Sequence, residues 1–453
     1  MISTTLATQL KRRNIHYGWV MAGVTFLVML TTACALGAPG VLMPPLEKEF
    51  GWNTAEISGA LALRLILFGA IAPFAAALML KFGLKKVASL ALTLTVGGLG
   101  LSMLMTQMWQ LVLLWGVFVG VGAGMTAIVL GATVATRWFT HRRGLVIGLL
   151  TASSATGQLA FLPLVARMSE SYGWRAALML VVGLLVVALV AVLLLLRNRP
   201  ADLGLLPYGE TEAVPTPSPS QLSPIAMLGE AARTRTFWIL FASFFVCGAS
   251  TNGLIQTHFV SLCGDYGMAA VTAASVLAMM GIFDFIGTIG SGWLSDRFDS
   301  RWLLFWYYGL RGLSLLYLPH TDFTFGGLSL FAAFYGLDWI ATVPPTLKLT
   351  AEKFGREKAG VVFGWIFAGH QLGAAAIAFT AGYIRTSYAT YLPAFIIAGS
   401  LCLFAAFFVL LIIRPKQVAA VTTKITRAAP EQHKPLTCAS TSPGQRPVDQ
   451  ARH

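Results

Sequence analysis

Ionisable side chains lie within strongly apolar stretches of this sequence, among them Arg64, Asp284, Arg311, Asp338, Lys348 and His370. A charge held in hydrocarbon costs roughly 2.5–3.5 kcal/mol on insertion scales, so each needs a partner or a purpose. A buried guanidinium can grip a carboxylate through two parallel hydrogen bonds. A buried carboxyl group favours its neutral form and can carry a proton. His370 can donate to an anion or relay a proton, and Gln371 beside it adds an amide. Asn252 and Gln256 stand one helical turn apart and could share one wall of a cavity. The sequence shows no clustered His/Glu/Asp set of metal-ligand type, no nucleophile and base at recognisable spacing, and no GxxxxGK[ST] loop. These residues suit recognition of an organic anion and movement of a proton better than catalysis. No cofactor and no metal are expected.

Spacing gives each group a depth. Asp284 precedes the polar turn at Asp296 by twelve residues, about 18 Å of helix. Arg311 follows Arg301 by ten residues, about 15 Å from the same surface. The two are therefore expected to pair across consecutive helices. In that arrangement Arg311 either binds a substrate carboxylate or holds Asp284 until protonation or substrate releases it. A permanent ion pair fixing one helix to the next is the competing reading. Arg64 lies eleven residues beyond Asn53, also deep, with snorkelling or bonding to backbone carbonyls as its structural alternative. For Asp338 the alternative is a capped or paired acid, and for His370, Asn252 and Gln256 an ordinary interhelical hydrogen bond.

The elements that must position these residues are long apolar runs. The 453-residue chain is 56% hydrophobic and only 11% charged, against about 25% charged for soluble domains. Twelve apolar segments can be marked, at roughly 18–43, 53–80, 87–106, 109–136, 144–168, 175–196, 237–260, 271–295, 302–319, 325–350, 359–381 and 390–413. Runs of this length span bilayers as helices. Basic residues concentrate in alternate loops, including Lys81, Lys85, Lys86, Arg137, Arg142, Arg143, Arg297, Arg301, Lys353 and Lys358. The net charge of +14 thus reads as a topology signal, not a nucleic-acid footprint. It predicts both termini in the cytoplasm. The run after Lys11-Arg12-Arg13 is too long for a cleavable signal peptide. Five cysteines without CxxC or CxxxC spacing suggest neither a disulfide framework nor a zinc site.

The expected organisation is an N-terminal tail over 1–17, six helices over 18–196, a linker over 197–236, six helices over 237–413 and a disordered tail over 414–453. The linker is Pro/Ser-rich in its middle, and Pro224–Thr236 could form a short helix on the membrane surface with Arg233 and Arg235 at the headgroups. Pro39, Pro44, Pro45, Pro344 and Pro345 should kink or end their helices. Gly116, Gly120 and Gly124, and likewise Gly360 and Gly364, are spaced to let helices approach closely.

Three stretches carry a family resemblance. Gly292-Trp293-Leu294-Ser295-Asp296-Arg297 after the eighth segment, with twelve segments and a central loop, resembles the major facilitator superfamily. A weaker copy of that loop follows the second segment, at Ala76 to Lys86. His16-Tyr17-Gly18-Trp19-Val20 resembles the Gly-Trp signature of the monocarboxylate transporter-like and oxalate:formate antiporter-like branches. Trp138-Phe139-x-x-Arg142-Arg143-x-Leu145-x-x-Gly148, ending in Gly157, is similar to the monocarboxylate signature. There are departures. Thr288 stands four residues after Asp284, where monocarboxylate transporters place an arginine. The first segment has no lysine, and His370-Gln371 stands where oxalate-type relatives carry one. Gly157 is followed by Gln158, so the Gly-Pro of drug:proton antiporters is absent.

The resemblance implies an all-α polytopic membrane protein of twelve helices in two pseudo-symmetric six-helix bundles, working by alternating access. It implies transport of a small organic anion, with protons or by exchange, in a plasma or bacterial inner membrane. On that reading Arg64, Arg311, His370, Gln371, Asn252 and Gln256 bind substrate, and Asp284, Asp338 and His370 couple protons. Lys81, Lys85, Asp296, Arg297 and Arg301 form conformational latches, with Asp296 and Arg297 pairing with neighbouring helix ends. The expected partners are the small anion, protons and lipid, with no nucleic acid and a monomeric state. An exporter of a neutral or aromatic metabolite is the alternative. A membrane-embedded enzyme or a sensor is a more distant one.

Overall fold

The computed structural model describes residues 2–126, 128–210 and 223–412. The middle of the Pro/Ser-rich linker, at 211–222, and the tail expected to be disordered lie outside them. Among the described residues regular structure is helical throughout, with one isolated bridge between Phe139 and Tyr208. Nine helices among the described residues are long and apolar enough to cross a membrane. They are α1 (Gly18–Phe50), α2 (Thr54–Phe82), α3 (Leu84–Ser102), α4 (Met108–Trp138), α6 (Trp174–Leu195), α7 (Arg235–Asp265), α8 (Ala270–Arg297), α11 (Arg356–Tyr388) and α12 (Leu392–Val409). Three further segments complete the twelve. α5 is interrupted, as Arg143–Leu159 and Leu162–Tyr172. α9 (Ser300–Tyr317) carries Arg301 and Arg311. α10 is interrupted, as Phe325–Leu337 and Val343–Phe354.

Local chemistry explains these boundaries. Asn53 caps α2 by accepting from Glu56 N at 2.9 Å, while the Glu56 carboxylate accepts from Asn53 N. Of the two outcomes expected at its prolines, a kink or an end, α1 does not end: Pro39, Pro44 and Pro45 lie inside it, and it continues to Phe50. A transmembrane helix tolerates them because neighbouring helices satisfy the freed carbonyls. Pro344 and Pro345 instead open the second half of α10, where a missing N–H costs nothing.

Helices meet closely where side chains are small. The face of α4 bearing Gly116, Gly120 and Gly124 lies on α2, and a Cβ at Gly120 would come within 2.8 Å of Arg64 O. α2 runs alongside α11 along much of its length, from Ser58 beside Gly382 to Phe74 against Trp365. α4 and α7 each contain a π-helical stretch, Val112–Val119 and Ala249–Gln256. Such insertions recur at functional sites.

The two signature stretches meet each other away from the membrane centre. Tyr17 packs at 5.9 Å from Trp138, and Trp19 meets Phe139 at 5.3 Å. Both Trp19 and Phe139 also contact Tyr208 at the start of the linker, and His16 Nε2 lies 2.9 Å from Leu206 O. Farther along the linker, a helix at Pro224–Ala231 rests on α11 through Trp365 Nε1 donating to Pro224 O and a Lys358–Glu230 ion pair.

Candidate functional site

A cavity of about 110 Å³ lies between the helices. Its walls come from α1, α2, α4 and α5 on one side and α7, α10 and α11 on the other. Phe68, Phe244, Trp339, Phe363 and Phe367 make much of the lining aromatic. Thr32, Thr126, Ser154, Thr251, Asn252, His370 and Gln371 are its polar points. At ~30 Å³ per water, the space suits a few waters or one small molecule.

Of the residues expected to bind substrate, Asn252, His370 and Gln371 line this cavity. The His370 ring stacks on Phe367 with centroids 5.7 Å apart and tilts against Phe244 at 5.1 Å. Neither His370 Nδ1 nor Gln371 Oε1 has a hydrogen-bond partner among the described residues. Gln256 is not in the lining; it is buried beside α1, where Gly40 approaches its backbone. Arg64 is 3% exposed and stands one turn before the cavity residue Phe68. Its Nε and Nη1 lack a hydrogen-bond partner among the described residues.

The expected Asp284–Arg311 pair is not the one that forms. Arg311 of α9 pairs instead with Asp338, Nε to Oδ2 at 2.6 Å, inside the interruption of α10. Its Nη2 donates to the backbone carbonyls of Asp338 and Trp339, and its Nη1 reaches Cys247 Sγ at 3.0 Å on α7. Asp284 Oδ1 accepts from Ile340 N at 2.9 Å and from Thr288 Oγ1 at 3.0 Å. Ser291 Oγ donates to Ala341 O at 2.5 Å. The reason is the break at 338–342. It frees backbone groups in the membrane interior, and these take the buried polar side chains first. Depth along each helix was readable from sequence, but the facing direction was not.

Sequence reasoning missed the aromatic lining, the hydroxyls of Thr32, Thr126 and Thr251, and the role of Ser291. A signal for the break was present in Asp338-Trp339 followed by Pro344-Pro345.

Known proteins agree with this architecture. A family model described as Major Facilitator Superfamily matches residues 25–378. The chain belongs to the major facilitator superfamily. This superfamily member is a multi-pass membrane transporter, not an enzyme. It is 27% identical over 391 residues to monocarboxylate transporter 13 of Bos taurus, covering 85% of this chain and 87% of that protein. It is 25% identical over 411 residues to monocarboxylate transporter 11 of Homo sapiens, covering 86% and 82%. An uncharacterized MFS-type transporter, YcxA of Bacillus subtilis, is 23% identical over 371 residues, covering 79% and 87%.

The expected latch residues of the transporter make contacts within their own six-helix half, Arg301 Nη1 donating to Ile412 O at 3.0 Å. Lys85 Nζ donates to Leu193 O at 2.5 Å, and Lys81 lies 5.3 Å from the Phe82 ring. Arg301 pairs with Asp299 at 2.7 Å. Arg297 lies over the Trp293 ring at 3.9 Å instead of pairing with a neighbouring helix end, because the i, i+4 spacing stacks it there. Asp296 is exposed and makes no ion pair among the described residues. Lys348 supplies the cap at that end of α8, donating to Ser295 O.

Direct hydrogen bonds between α1–α6 and α7–α12 cluster at one end of the molecule. Ala55 N donates to Thr386 Oγ1 at 3.1 Å, Val271 N to Glu170 Oε1 at 3.3 Å, and Ser261 Oγ approaches Met43 Sδ at 3.9 Å. All three lie away from the basic loops.

Proposed function

We propose that this transporter carries a small monocarboxylate together with a proton by alternating access. The observation that carries the reading is Arg64, a buried guanidinium whose Nε and Nη1 have no hydrogen-bond partner among the described residues, one turn from a small, partly aromatic cavity. A buried cation without a counterion is strongly unfavourable. A substrate carboxylate entering between α2 and α11 supplies that charge, while Asn252, His370 and Gln371 orient it. The small cavity favours few heavy atoms, and the apolar walls accept a short hydrocarbon tail. The names of the relatives agree with this substrate class.

Asp338 and His370 are the favoured proton carriers. Asp338 Oδ1 and His370 Nδ1 are buried without hydrogen-bond partners among the described residues, so each offers a site for a proton; on Asp338 that proton also weakens the ion pair with Arg311. Asp284 is the third candidate, but its Oδ1 already accepts two bonds.

On this reading the two six-helix halves, 18–196 and 237–413, rock about the cavity in a plasma or bacterial inner membrane, as a monomer. The basic loops face the cytoplasm. The inter-half bonds close the outer end, leaving the site to open inward. Lys81, Lys85, Asp296, Arg297 and Arg301 then engage across the inner end in the opposite state. Uptake into proteoliposomes by wild type and Arg64→Gln tests the reading. Loss of a charge-assisted bond of roughly 1.5–3 kcal/mol raises KM about 10- to 150-fold. An unchanged KM would remove Arg64 from the site.

The aromatic lining favours a second reading, export of a neutral or aromatic metabolite. It requires that an uncharged ring compound compete for binding as well as a carboxylate does, and that Arg64→Gln leave that competition intact.

A further inference from the structure

We propose that Arg311, Asp284 and Ser291 are positioning residues: they hold the turn at Asp338–Thr342, between the two halves of α10, against the cavity and thereby set the substrate size that the transporter accepts. The proposal rests on the transport reading for its substrate, but its structural core does not.

Between Leu337 and Val343 the helical ladder of α10 is broken. Nothing in hydrocarbon can satisfy the backbone groups released there, so protein side chains must. Each named residue takes a separate group. Asp284 accepts from Ile340 N, Arg311 donates to the carbonyls of Asp338 and Trp339, and Ser291 donates to Ala341 O. Trp339 and Ile340 are cavity-lining residues in this same stretch. The side chains that fix the backbone therefore lie behind the wall, and the wall faces substrate.

Two further observations join this clamp to the rest of the site. α8 and α10 cross without intervening side chains: a Cβ at Gly287 would lie 1.8 Å from Leu337 O, and one at Gly336 2.5 Å from Met280 O. That approach brings Asp284 and Ser291 within reach of the break. Arg311 also touches the other irregular wall. Its Nη1 lies 3.0 Å from Cys247 Sγ and 3.4 Å from Ser250 Oγ, at the π-helical stretch that presents Thr251 and Asn252 to the cavity. Tyr335 Oη donates to Ser250 O at 2.7 Å, and Cys247 Sγ lies 3.3 Å from Thr342 Oγ1, closing the link between α7 and α10. One guanidinium thus braces two cavity walls without being in the cavity lining.

The experiment pairs amide hydrogen exchange with transport on the full-length protein. Exchange is followed in the peptide spanning the break for wild type, Asp284→Ala, Asp284→Asn, Ser291→Ala and the charge-balanced double variant Arg311→Gln/Asp338→Asn. Uptake of formate, acetate, butyrate and benzoate is measured in proteoliposomes. The clamp predicts exchange about tenfold faster or more in Asp284→Ala and near wild type in Asp284→Asn, which keeps an acceptor for Ile340 N. It predicts faster exchange in the double variant, and KM for the smallest carboxylates about five- to tenfold higher in Ser291→Ala. In Ser291→Ala benzoate should change less and Vmax should stay within about twofold; the double variant is read by exchange alone, because it also removes the Asp338 carboxyl. Unaltered exchange in Asp284→Ala overturns the clamp. So does a double variant whose exchange stays at the wild-type rate, since Arg311 would then not be holding the Asp338 and Trp339 carbonyls. If wild type moves no carboxylate, the transport reading fails, and the exchange result still decides the clamp.

Discussion

At the scale of single residues, buried polar groups divide into those that face the cavity or lie unpaired near it and those spent on backbone. Arg64, His370 and Gln371 retain atoms without hydrogen-bond partners among the described residues. Arg311 and Asp284 are committed to the break in α10. Arg64→Lys should therefore recover part of the affinity that Arg64→Gln loses, because an ammonium restores charge but not the two-pronged geometry. Substrate titration of both variants checks this. For the proton, Asp338→Asn should retain exchange of internal for external anion but lose accumulation driven by acid outside. The opposite pattern, gradient-driven uptake intact, removes Asp338 as carrier. The sequence exposed every one of these ionisable groups, since each interrupts an apolar run. It did not expose Arg311's true partner, because rise per residue fixes depth and leaves azimuth open.

At the scale of elements, close crossings decide which side chains meet. Gly287→Ala places a methyl against Leu337 O, so the α8–α10 crossing must open. Overpacking of this kind costs about 1–3 kcal/mol, and thermal unfolding in detergent should show a clear drop. Gly290→Ala meets nothing within 4 Å and should leave the unfolding temperature unchanged. Segment positions were legible from hydropathy, and the Gly116-Gly120-Gly124 face did mark a tight crossing. Gly360, spaced like Gly364, faces open space, so spacing alone does not establish a contact. The interruption of α10 was only partly legible. Prolines announced an irregularity there, yet three prolines in α1 left that helix continuous.

At the scale of the whole molecule, direct hydrogen bonds between the halves gather at the end away from the basic loops. Cysteines placed at Ala55 and Thr386 should cross-link on oxidation, stop transport and release it on reduction; free cycling after cross-linking would show that this end does not open. The alternation of basic loops was plain in the sequence, as was the polytopic all-α class. The junction of His16–Trp19 with Trp138-Phe139 and the linker was not, because those stretches are far apart in sequence and meet only after folding. The central claim is proton-linked movement of a small carboxylate through one cavity. Its most direct test is uptake of labelled formate, lactate, pyruvate, oxalate and benzoate into proteoliposomes, with and without an inward proton gradient. The account predicts that acid outside accelerates uptake of the small monocarboxylates. Absence of uptake for every carboxylate, with and without the gradient, would contradict it.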